Sequence, residues 1–175
     1  EINIQTGYLE RIIALPFPFG VHHIALSTDG KTLFSTGEYS GKMAKTDIKT
    51  GKTEVIDWGP APSAPDYLDA VRKGKYVYVG NYYHSTVGVF STSPFKMIKE
   101  IPVGKNPHGT DINPESTMVA VADKLSATMT IIDVDKLAVK KVIPTCAGPL
   151  HNVMDVYNKD GGSYRAGIDS PDGLT

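Results

Sequence analysis

Short runs of alternating apolar and polar residues, punctuated by Gly, Pro and Asp-Gly, fill the chain from about residue 8 to residue 157. That two-residue period predicts half-buried strands. Val21 to Leu26, Thr32 to Thr36, Gly41 to Asp47 and Thr53 to Trp58 read as four strands, with turns at Asp29-Gly30 and Thr50-Gly51. Four more follow at Tyr67–Val71, Tyr76–Asn81, Thr86–Ser91 and Met97–Ile101, with a turn at Lys73-Gly74. A third set reads Gly109–Ile112, Met118–Asp123, Thr128–Asp133 and Val139–Ile143. Tyr8 to Leu15 resembles a lone fourth strand, and His151 to Tyr157 a lone first strand.

The sets repeat. Thr6-Gly7 and Thr50-Gly51 are 44 residues apart, Pro65, Pro107 and Pro149 follow one another at 42, and Gly59, Gly104 and Gly148 at 45 and 44. A unit of about 43 residues holding four strands is the size of a propeller blade. A β-sandwich shares the short strands but has no such internal repeat. The expected fold is therefore an all-β propeller of four-stranded antiparallel blades, about three and a half of them. Residues 1–157 form a partial propeller with blades at about 19–60, 61–104 and 105–148. Residues 158–175, with Asp160-Gly-Gly162 and Ser170-Pro-Asp-Gly173, break the repeat and read as a loop or insertion. Three blades do not close a ring, so the rest is expected from residues outside these 175 or from another chain. Val77, Val79, Val89, Val119, Val121 and Ile131 are the expected inter-blade core.

Composition narrows the class. Eighteen Lys and Arg against 19 Asp and Glu give a net charge of −1, which argues against a nucleic-acid or polybasic membrane surface. No apolar run approaches the roughly 18 residues of a membrane helix, as expected of a soluble chain. The single cysteine, Cys146, excludes an internal disulfide and a cysteine-rich metal centre. Phosphate-loop, serine-elbow and haem-attachment motifs are all missing from the sequence.

The stretch Tyr76-Val-Tyr-Val-Gly-Asn81, followed by Ser85-Thr-Val-Gly-Val89, Ile98-Lys-Glu-Ile-Pro-Val-Gly104 and Asn106-Pro-His-Gly109, resembles the tyrosine-valine-threonine-asparagine propeller family. Met118-Val-Ala-Val-Ala-Asp123 and Thr128-Met-Thr-Ile-Ile-Asp133 repeat the pattern with Asp for Asn; the first copy, Thr32 to Thr36 with Asp47 and Thr50-Gly51, is looser. The resemblance implies a ring of seven blades and a periplasmic or extracellular location. Its functions include surface-layer modules, lactonase-like enzymes and subunits of periplasmic redox enzymes. The leading expectation is a scaffold or binding propeller of a multi-component exported redox enzyme, partnered by the remaining blades, another subunit or a redox protein. The first alternative is a catalytic propeller holding metal or non-covalent haem, similar in kind to nitrous oxide reductase or haem nitrite reductases. The second is a lactonase-like hydrolase.

Candidate chemistry centres on histidine. His23, Asp66, His108 and His151 follow one another at 43, 42 and 43 residues, where each innermost strand begins. His22 or His23, Asp66 or Tyr67, His108 and His151 are therefore expected to converge at one mouth of the central channel. Imidazoles there suit copper, zinc or haem iron; a polar lining or an acid/base role are the plainer alternatives. Strand alternation predicts that at most one of His22 and His23 faces inward. Asp69, Asp111 and Asp155 recur 42 and 44 apart as candidates for orienting an imidazole, for calcium, or for bonding a neighbouring blade. His84, beside Asn81, Tyr82 and Tyr83, reads as an exposed turn that suits a protein contact or ligand rim, and Cys146 as a buried unreactive thiol, a metal ligand or a nucleophile.

Overall fold

The computed structural model describes residues 1–16, 20–59, 65–70, 75–156 and 164–169, without the side chains of 66, 67, 69, 70, 153–156 and 164–169. It holds three four-stranded antiparallel meanders and one hairpin: β1 (Val21–Leu26) to β4 (Thr53–Asp57), β5 (Pro65–Ala70) to β8 (Phe95–Pro102), β9 (Pro107–Ile112) to β12 (Ala138–Pro144), and β13 (His151–Val156) with β14 (Tyr164–Asp169). Between these lie β2 (Thr32–Gly37), β3 (Lys42–Asp47), β6 (Tyr76–Asn81), β7 (Thr86–Thr92), β10 (Met118–Asp123) and β11 (Thr128–Asp133). Successive first strands pack on one another, β1 on β5, β5 on β9 and β9 on β13, so they line the axis and the fourth strands lie outermost. The chain is a partial β-propeller of three blades and the first hairpin of a fourth.

The pleat sorts side chains between blades. Val77 and Val79 of β6 join Phe34, Met43, Trp58, Leu68 and Phe90 between the first and second blades. Tyr78, between them in sequence, turns the other way and joins Val87, Val89, Val119, Val121 and Ile132 between the second and third. All six expected core residues, Ile131 included, are buried. Gly88 is the seat of the Trp58 ring: a Cβ there would come within 2.5 Å of Trp58 ring carbons. Trp58 also meets Phe90 edge-on at 5.1 Å and donates its indole N–H to Glu100 at 2.8 Å.

Three expectations about this chain change. Tyr8 to Leu15 forms no strand; its described pairing is a single bridge, Ile2 to Leu9. The segment read as a loop after 158 contains β14, which pairs with β13 from His151–Asp169 to Val156–Tyr164. The alternation in Tyr164 to Asp169 was too short to stand out; residues 157–163 and 170–175 lie outside the described residues. Finally, alternation does not run through the start of the inner strands. Val21 pairs with Gly37 and Ile24 with Ser35, so two residues of β1, His22 and His23, face one of β2, Thr36. The same step separates Pro65 from Leu68 and Pro107 from Thr110. Each is a bulge, which inserts a residue and re-aims its side chains.

Candidate functional site: a histidine-lined mouth

The bulges fall on His22-His23 in β1, 66–67 in β5 and His108-Gly109 in β9. Counting from the paired strand starts, Val21, Pro65, Pro107 and His151 are equivalent and stand 44, 42 and 44 residues apart. His22, Asp66, His108 and Asn152 are therefore the true counterparts, whereas His23 lies one residue further in and His151 one residue earlier. The linkers differ in length, which is why counting a constant period displaced the latter two. Because of the bulge, the rule that only one of His22 and His23 faces inward does not apply.

The structure does bring two of the imidazoles together. The His108 and His151 rings meet edge-on with centroids 5.2 Å apart. His108 Nδ1 lies 3.1 Å from the Leu150 carbonyl oxygen, which also accepts the Gly109 N–H at 2.8 Å. Side chains are so close here that a Cβ on Gly109 would sit 2.7 Å from that oxygen and 2.9 Å from Asn152 Oδ1. Burial, then the neighbouring His151, brings His108 down to about 4, although its bond to Leu150 favours the charged ring; Lys124 and His22 add to the fall. His23 is also lowered, first by burial and then by His22, against a hydrogen bond with the Leu68 backbone; His151 acts on it more weakly. Its main chain is clasped by Thr36, whose Oγ1 accepts the His23 N–H at 3.1 Å. His22 Nε2 lies 3.8 Å from Glu38.

The other candidates scatter. Asp111 accepts the Ile112 N–H at 2.9 Å, within its own strand. The side chains of Asp66, Asp69 and Asp155 lie outside the described residues. His84 is exposed, and its Nδ1 stands 3.4 Å from Asn81 Nδ2. Cys146 is a half-buried free thiol. Among the described residues, no three His, Cys, Asp or Glu side chains form a group that could hold a metal ion. Among the described residues no helix is long and apolar enough to cross a membrane.

Sequence reasoning missed two features of this mouth. Asn152, at the register position of His108, is 7% exposed with neither end of its amide hydrogen-bonded. Tyr82 bridges blades: its ring lies 6.4 Å from His108 and 6.0 Å from Lys124 Nζ. Aligning the strand starts instead of counting a fixed period would have exposed the first.

Comparisons agree on the architecture. A family model described as a YNCE-like beta-propeller matches residues 43–113. Hydrazine synthase from Kuenenia stuttgartiensis superposes with a TM-score of 0.76 at 24% identity, covering 94% of this chain and 46% of that one. A candidate 6-phosphogluconolactonase from Bacteroides fragilis gives 0.67 at 18% identity over 76% of this chain and 41% of its own. The WD40 repeats of RRP9 give 0.72 at 11% identity, covering 83% and 44%. The chain thus spans less than half the length of the solved chains it matches.

Proposed function

We propose that the chain supplies about half of a seven-bladed propeller that serves as a binding scaffold in a multi-component redox enzyme of the periplasm or cell exterior. One comparison between blades carries the reading. Ile24, Leu68 and Thr110 are register equivalents, yet Ile24 is 54% exposed while Leu68 is 1% and Thr110 9%. Leu26 is likewise 54% exposed where its equivalent Ile112 is 0%. The apolar flank of β1 has the composition of an inter-blade face and lacks its neighbour. The redox setting draws its support from the extent of the match to hydrazine synthase, which covers 94% of this chain.

Two measurements test the reading. The 175-residue chain alone should self-associate through the β1 flank in analytical ultracentrifugation, and a monodisperse monomer with cooperative unfolding overturns the open ring. Tagged protein isolated from its natural host should bring down a subunit with a haem or metal-centre absorption spectrum, and isolation free of any chromophore overturns the redox setting.

A second reading places a copper or haem iron at the mouth, where the 5.2 Å approach of His108 and His151 favours it. Imidazoles would hold such an ion, while Asp111 is engaged in its own strand. Titration of the chain with Cu²⁺ or haem, followed by absorption, is the direct check: no spectral change on addition overturns it.

A further inference from the structure

All five histidines lie at the same end of the blades, the end where inner strands begin. That end also carries the turns 38–41, 82–85 and 124–127, which join the second strand of each blade to the third. The three turns share one backbone course, since Gly41, Ser85 and Ala127 all adopt the left-handed conformation at φ 64, 56 and 51°. Each therefore presents its second residue alike. Those residues are Tyr39, Tyr83 and Leu125, which are 85%, 60% and 69% exposed.

Single exposed apolar side chains are ordinary, but recurrence at one position in successive blades builds a surface. Other large exposed apolar groups lie in the N-terminal segment, on β1, and on the outer strands β8 and β12. Among the described residues, the turns at the opposite end carry none; Asp29, Asp47, Asp133 and Lys136 occupy them instead.

Glu38 lies beside His22, Asp57 holds Lys42, and Asp123 is buried. Lys105 and Lys124 are left without a carboxylate among the described side chains. The two are brought side by side, because Lys124 N–H donates to the Asn106 carbonyl and Leu125 N–H to the Lys105 carbonyl, both at 3.1 Å. Lys124 stands over Tyr82, which meets Tyr83 edge-on at 5.4 Å. Tyrosine beside cations is the composition of interface hot spots.

From this arrangement we propose that the mouth face docks a partner-protein segment carrying a carboxylate between apolar side chains, the carboxylate at Lys105 and Lys124 and the apolar flanks on Tyr83, Leu125 and Tyr39. The proposal rests on the scaffold reading and names the surface it uses. The β1 flank faces sideways, so ring completion or self-association leaves the mouth open.

The experiment pans the purified chain with a random dodecapeptide phage library and measures binding of resynthesised peptides by fluorescence anisotropy. Selected peptides should hold Asp or Glu flanked by apolar residues, and Lys124→Glu and Tyr83→Ser should each weaken binding tenfold or more. Lys136→Glu, at the opposite end, should change it less than twofold. Peptides without a carboxylate, or binding insensitive to Lys124→Glu and Tyr83→Ser, overturn the proposal. Sensitivity to Lys136→Glu alone also overturns it while leaving the scaffold reading intact. Oligothymidylate binding that is lost in the same two variants, with no peptide selected, overturns it in favour of a nucleic-acid strand. Circular dichroism of each surface variant separates lost binding from lost folding.

Discussion

The Leu150 carbonyl oxygen ties two blades together at the hub, accepting the Gly109 N–H at 2.8 Å and lying 3.1 Å from His108 Nδ1. One imidazole thus serves the wall between blades as well as the mouth. Its protonation must therefore be felt in stability.

In the unfolded chain His108 should titrate near its ordinary 6.5, whereas in the fold it is held at about 4. Between those values the unfolded chain takes up a proton that the native chain refuses. The contribution is therefore complete above about 6.5 and is lost as pH falls towards about 4. His23, also lowered, acts in the same direction. Urea unfolding at pH 7.5, 6 and 5 should show a falling midpoint, and His108→Asn, the residue found at that position in the next blade, should flatten the trend. A midpoint that rises on acidification contradicts the assignment.

Gly88→Ala should destabilise the chain by about 2–3 kcal/mol, an ordinary magnitude for overpacking. The added methyl would lie 2.5 Å from the Trp58 ring and 2.9 Å from Phe90, so the ring must leave its place. Tryptophan fluorescence should report that movement in the folded state. A second change, Trp58→Phe, should recover part of the loss, which a backbone-only effect of alanine would not allow.

Asp123 and Asn81 close the second strand of their blades at the same register position. Asp123 is fully buried, its Oδ2 accepting from Thr130 at 2.6 Å and Thr128 at 3.0 Å. Burial raises its carboxyl above the ordinary 3.8, against these hydrogen bonds. A raised folded value means stability declines as pH climbs from the unfolded value through the folded one, leaving a penalty at neutral pH. Asp123→Asn should therefore raise the melting temperature at pH 8 and leave it nearly unchanged at pH 3.5, with a gain of about 1 kcal/mol. Equal effects at both pH values would show that charge burial is not the cause.

The blades were legible because their repeat is written in strong local signals, such as Tyr76 to Asn81 and Met118 to Asp123, whose alternation survives intact in the structure. The mouth was legible in kind and misread in detail. The β1 bulge carries no period-breaking Gly or Pro of its own, so His22-His23 looked like ordinary alternation. His151 was displaced by linker length, since the distance between strand starts is 44, 42 and 44, not constant. Tyr83 was legible beside His84, but its counterparts Tyr39 and Leu125 were hidden for the opposite reason: turn residues are judged by whether they permit a turn, and these differ chemically while sharing a position.

The bulge recurring at the start of β1, β5 and β9 separates two kinds of selection. Residues in the ladder, such as Ile24, Leu68 and Thr110, answer to the neighbouring blade, and changing them repacks a wall. The two residues of each bulge have left the ladder, although His108 and Gly109 still bond to the Leu150 carbonyl of the next blade. His-His, Asp-Tyr and His-Gly already occupy them in three consecutive blades over the same framework. The lining can therefore vary from blade to blade over an unchanged ladder, except where it also joins two blades, as at Gly109, which leaves no room for a side chain.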